Sequence, residues 1–180
     1  MKILVAYASK HGATRGIAEH IAETLQAAGH TADARPVRAA GDPAGYDAIV
    51  IGSAAYFGRW LKEATAFVRS NHVTLAGRPV WLFSSGPLGT EATDAKGQDL
   101  RVAAEPKEIA EFRESIHPRD HRVFFGALNP RTLDLCDRLI RALPAGRKLL
   151  PEGDFRDWQE IEAWAEAIAA EIATMSAVPR

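Results

Sequence analysis

Lys2-Ile3-Leu4-Val5-Ala6-Tyr7-Ala8-Ser9-Lys10-His11-Gly12-Ala13-Thr14 is the stretch that decides the fold. Residues 2–7 are a short apolar and β-branched run, the pattern of a strand buried on both faces. After Thr14 the period changes. Ile17, Ile21 and Leu25 fall on one face of a helix, and Gly29 stands where that helix would stop. A strand, a short glycine-bearing loop and a helix in this order begin a βα unit.

The alternation continues outward from it. Residues 31–37 form a weaker strand ending around Pro36, and 47–52 (DAIVIG) a third one after the turn-like 41–45. Leu61, Ala64 and Val68 line the next helix, and Gly77 and Pro79 precede a fourth strand at 80–84. The polar stretch 85–104 has no clear period and reads as a long loop. Ile109, Phe112 and Ile116 give a helix face that Pro118 ends, and 122–127 is the fifth strand. Two helices close the chain, one with Leu133, Cys136, Ile140 and Leu143, the other with Ile161, Trp164, Ile168 and Ile172. Strands separated by helices need crossovers, so the expectation is an α/β domain over residues 1–180. Its doubly wound sheet has five parallel strands in the order 2-1-3-4-5, with helices on both faces. Ligands of such sheets bind beyond the carboxyl ends of the strands, which directs attention to the loops at 8–14, 52–60 and 84–90.

Composition narrows the partners. Lys and Arg total 22 against 23 Asp and Glu, a net charge of −1. There is no basic excess to attract nucleic acid, nor the strong acidity of a soluble electron carrier that docks to basic partners. The single cysteine, Cys136, excludes an intrachain disulfide and a Cys-based metal site, and suits a reducing cytoplasm. No apolar run approaches the roughly 20 residues that span a bilayer, and the N-terminus lacks the pattern of a signal peptide. A soluble cytoplasmic chain is expected, with room for peripheral contact at the inner face of the membrane. Within 119–148, seven basic residues face three Asp, a surplus suited to a carboxylate-bearing ligand or an anionic membrane surface. Asp134–Arg138 and Asp137–Arg141 are also i,i+4 pairs of an ordinary solvated helix face.

The first loop has the make-up of a phosphate cradle. Ser9 and Thr14 bring hydroxyls, Gly12 and Ala13 bring exposed backbone N–H groups, the helix N-terminus brings its field, and Lys10 and His11 flank it. It is neither G-x-G-x-x-G nor G-x-x-x-x-G-K-[ST], and the acid that would hold a ribose is missing. After the third strand come Ser53, Ala54 and Ala55, then Tyr56, Phe57 and Gly58: small residues followed by aromatics, as a planar ring requires. Tyr56 or Phe57 is expected at that ring, whereas Trp60 divides between ring and core. After the fourth strand, Ser84, Ser85, Gly86 and Pro87 offer hydroxyls and backbone groups to a polar ring edge. His117 and His121 flank Pro118, which prevents one helix from presenting both to a metal, so they read as loop residues. Cys136 lies on an apolar stripe and reads as a buried thiol. No catalytic residue or metal ligand is assigned.

These loops resemble those of the flavodoxin family, whose phosphate loop has the form hydroxyl-x-Thr-Gly-x-Thr. Ser9, Gly12 and Thr14 match it, with His11 in place of a Thr and Ala13 in place of a common Asn. The resemblance implies FMN, held by residues 9–14, 53–58 and 84–87. Phe57-Gly58-Arg59 is similar to the family's aromatic-Gly-acid triplet, whose glycine peptide contacts flavin N5. Arg59 reverses the neighbouring charge, which implies a less negative potential. The whole chain is similar to the bacterial quinone-dependent protoporphyrinogen oxidases through Ile51-Gly52-Ser53, Phe57-Gly58, Gly126-Ala127-Leu128 and Asp157-Trp158-Gln159. It departs from them at Asn129-Pro130-Arg131-Thr132, where that family is rich in aromatics. The likeness implies an oxidoreductase that passes electrons from a porphyrinogen through FMN to a quinone or a redox protein. The alternatives are a flavodoxin-type electron carrier without substrate chemistry, and a binding module without flavin.

Overall fold

In the computed structural model, residues 1–91, 93, 97–143 and 150–177 are described. The opening strand, β1 (Lys2–Ala8), is an interior strand of the sheet, which is why both of its faces are apolar. It pairs in parallel with β2 (Thr31–Pro36) and with β3 (Ala48–Tyr56). A short β4 (Arg59–Trp60) folds back antiparallel on β3. Next, β5 (Val80–Ser85) pairs in parallel with β3, and β6 (Asp120–Phe124) with β5. The order β2-β1-β3-β5-β6 is the expected 2-1-3-4-5 winding once the hairpin strand β4 is set aside. Beyond β6, β7 (Ala127–Leu128) and β8 (Gly153–Asp154) form a separate two-stranded ribbon.

Two cores follow from the two-residue period of the strands. Ile3 and Val5 face α1 (Ala13–Ala27) and the last helix, where Ile17, Ile21, Leu25, Trp164 and Ile168 are buried. Leu4 and Ala6 face the other way, toward α2 (Lys62–Ser70), α3 (His72–Ala76) and α5 (Glu108–Ile116), with Val68, Leu75, Phe112 and Ile116.

Three boundaries differ from the sequence reading. β3 runs on to Tyr56 instead of stopping at Gly52. β6 begins at Asp120 and ends at Phe124, so Gly126–Leu128 leave the sheet and His121 lies in a strand, not a loop. The polar stretch after β5 contains a short helix, α4 (Leu100–Ala103), and a bridge between Thr93 and Asp99. The two closing helices are α6 (Leu135–Ala142) and α7 (Trp158–Ala177). The side chains of Cys136 and Ile140, and all of residues 144–149, lie outside the described set. No helix among the described residues is long and apolar enough to cross a membrane.

Candidate functional site

The carboxyl ends of β1, β3 and β5 converge on two joined cavities. The smaller, about 50 Å³, lies over the first loop and is lined by Ser9, Lys10, His11, Ala13, Thr14, Ala54, Ser85, Gly126 and Ala127. The larger, about 270 Å³, is bounded by Phe57, Leu133 and Asp137. They meet at His11, Ala55, Tyr56, Gly86, Leu88 and Leu128, with Leu150 on both.

Local geometry makes the first cavity a cradle. Ser9 Oγ accepts the Gly12 N–H at 3.0 Å, which turns the loop. Gly12 has φ +91°, open to glycine at little cost, and no side chain caps α1. The first N–H groups of α1 therefore face the cavity without a capping oxygen, and no acid lies in its first turn. Thr14 is 1% exposed and lines the cavity.

The larger cavity is framed by a hairpin. Tyr56 pairs with Arg59 across a two-residue turn, and Phe57 (φ +52°) and Gly58 (φ +69°) both have positive φ, as a type I′ turn demands. This turn leaves Phe57 97% exposed at the cavity rim. Tyr56 stays in the wall, its ring edge-on to His11 at 6.3 Å and 5.5 Å from Lys10 Nζ. Burial pushes the Tyr56 hydroxyl up to about 12, so it stays protonated at neutral pH.

A buried network holds the hairpin from below. Glu108 Oε2 accepts the Trp60 N–H at 3.2 Å, and Glu108 Oε1 pairs with Arg59 at 3.2 Å. The Lys107 N–H donates to the Gly58 carbonyl at 3.1 Å. The Trp60 indole donates to Ser84 Oγ at 2.7 Å, and Ser84 lies 2.8 Å from His121 Nε2. His121 Nδ1 is 3.2 Å from Glu105, which Arg113 clamps through two bonds of 2.8 and 2.7 Å. Burial pushes the His121 imidazole below its usual range, so the neutral ring accepts from Ser84 and donates to Glu105. The Arg113 bonds, opposed by partial burial, hold the Glu105 carboxyl below its usual range.

Eleven of the sixteen residues proposed from sequence line these cavities: Ser9, Lys10, His11, Ala13, Thr14, Ala54, Ala55, Tyr56, Phe57, Ser85 and Gly86. Gly12, Ser53, Gly58, Ser84 and Pro87 do not. Gly12 and Gly58 shape turns, and the Pro87 carbonyl accepts from Gly126 N. Ser53 and Ser84 are 0% exposed, because they continue the buried rows Ile49–Ile51 and Val80–Leu82. Ser53 Oγ accepts the Leu61 N–H at the start of α2. Trp60 belongs to the core, tilted against Phe112 at 5.3 Å. Arg59, the basic residue beside Gly58, is paired with a buried carboxylate, Glu108. Leu128, Leu133, Asp137 and Leu150 complete the walls; Gly126–Leu128 could have been found as the residues following the fifth strand.

Such a sheet, cradle and slot define a flavodoxin-type protein. The chain belongs to the flavodoxin-domain family, whose model matches residues 4–145. Over 176 residues it is 26% identical to the protoporphyrinogen IX dehydrogenase [quinone] of Escherichia coli K12, covering 94% of this chain and 95% of that one. Among solved structures it is similar to oxidised flavodoxin 2 of Bacillus cereus (TM-score 0.60, 22% identity, 95% of this chain and 99% of that one). It also matches the rubredoxin oxygen:oxidoreductase of Desulfovibrio gigas (TM-score 0.60, 14% identity) with 98% of its length, but spans 37% of that longer chain.

Proposed function

We propose that this protein is an FMN-dependent oxidoreductase that takes electrons from a reduced substrate and passes them to a quinone, with a porphyrinogen as the substrate class. One observation carries the reading: an uncapped helix N-terminus with a buried threonine opens directly into an apolar slot rimmed by Tyr56 and Phe57. The donor set fits FMN in both parts. Ser9, Thr14 and the N–H groups of α1 suit its phosphate, and Ala54, Ala55 and Gly86 let the backbone approach its ring. At Gly86 a Cβ would lie 3.2 Å from the Ala55 Cβ, so the segment after β5 packs closely against the end of β3 there. When bound, FMN supplies the redox chemistry; the chain binds, orients and shields it.

The Escherichia coli relative, named for protoporphyrinogen IX and a quinone, supports the quinone and porphyrinogen part of this reading. The test has two stages. Protein that binds FMN should quench its fluorescence and take on a flavin absorption spectrum. The reduced holoprotein should then be reoxidised by menaquinone or ubiquinone at a rate that saturates with quinone. A slow, unsaturable reaction would instead assign the chain to the electron carriers.

A further inference from the structure

Lys10 and His11, the two basic side chains of the cradle, are already engaged. Lys10 Nζ lies 2.8 Å from Asp134 Oδ2 and 2.6 Å from Asp137 Oδ2. His11 Nε2 is 3.1 Å from the same Asp137 oxygen, and His11 Nδ1 is 3.0 Å from the Thr132 carbonyl. Hydrogen bonds to Asp134 and Asp137 hold the Lys10 ammonium well above the usual lysine range, as a close pair of acids should. Asp134 directly precedes α6 and Asp137 lies in its first turn, and Asp137 also lines the larger cavity.

One ammonium facing two carboxylates leaves the corner acidic, beside a cradle whose remaining donors are uncharged. A phosphate monoester placed there meets the N–H groups of α1 and the Thr14 hydroxyl, which attract it, and the two aspartates, which repel it. An uncharged ring in the neighbouring slot lies beside Asp137 but carries no charge for either aspartate to repel. Resting on the reading that a flavin phosphate occupies the cradle, we propose that Asp134 and Asp137 are specificity residues. They withhold Lys10 from the anion, and so lower the preference for a phosphorylated flavin over the same ring without phosphate.

The test measures dissociation constants of FMN and riboflavin by fluorescence quenching, for the wild-type protein and for Asp134→Asn/Asp137→Asn. The double variant should bind FMN about tenfold more tightly and riboflavin within about twofold of wild type, as removal of two nearby like charges predicts. The gain should shrink at about 1 M salt, where the Debye length falls to about 3 Å. Asp134→Asn alone, at an exposed side chain, should show the same direction and guards against misfolding of the double variant. Weaker FMN binding would mean that the acids aim Lys10 at the phosphate, and would overturn the proposal. An equal change for both flavins would reduce the aspartates to wall residues and overturn it too. A natively folded wild-type protein that binds neither flavin rejects the flavin reading itself. FMN binding with an unaltered FMN-to-riboflavin ratio rejects this inference alone.

Discussion

The first loop and the β3–β4 hairpin both line the slot and are held by different physics. The loop is tied to the α6 segment by Lys10, whose pair with Asp134 lies at the surface (37% and 47% exposed), and by a less exposed contact of His11 with Asp137. The hairpin is tied to α5 and β6 by buried hydrogen bonds through Glu108, Ser84 and His121. Exposed ion pairs are weak and salt-sensitive, whereas losing one partner of a buried network strands the other in a dry interior. The slot therefore has one firm wall and one yielding wall, and the yielding one carries the charge.

Three experiments would break or sharpen this contrast. The largest effect belongs to Trp60→Ala, which empties a buried site and removes the donor to Ser84; it should cost about 3–5 kcal/mol in urea unfolding. A loss below about 1 kcal/mol would show that the hairpin is not pinned through its indole. Next comes pH. The folded His121 is held neutral by burial, while the unfolded chain takes up a proton near pH 6.5. Stability is thus fully present above that pH and declines as pH falls from about 7 toward 5, because only the unfolded state gains the proton. Glu105, depressed by Arg113, adds a loss only at still lower pH, below about 4.3. His121→Gln should flatten the pH 5–7 part of a melting-temperature profile; an unchanged slope would put the proton elsewhere. The smallest effect is expected of Lys10→Met. Its melting temperature should differ little from wild type, and the difference should vanish in about 1 M salt.

Much of this was readable before any coordinates. The alternation of apolar runs carried the strand order, since parallel strands joined by helices have few ways to wind. The helix stripes at Ile17–Leu25 and Ile161–Ile172 proved to be buried faces, because a 3.6-residue period has only one way to cover a sheet. The two-residue period also held information that the loop-based reading passed over. Ser53 extends the Ile49–Ile51 row and Ser84 the Val80–Leu82 row, so both hydroxyls point into the α5 face. Ser85, one residue on, turns toward the cavity. The hairpin was hidden because Phe57 takes a positive φ that side chains with a Cβ rarely adopt.

The sequence by itself determined the doubly wound sheet, the strand ends on which a ligand cradle would be built, and the absence of charge bias, because these depend on local periodicity and composition. Only the tertiary structure decided which charges face the cradle. Asp137 meets Lys10 across 127 positions of chain, and Glu105 meets His121 from the segment between α4 and α5. Such encounters follow from how helices dock on the finished sheet, so no local pattern announces them. The near-zero net charge therefore hides a cradle lysine matched by two aspartates and a buried glutamate matched by the hairpin arginine.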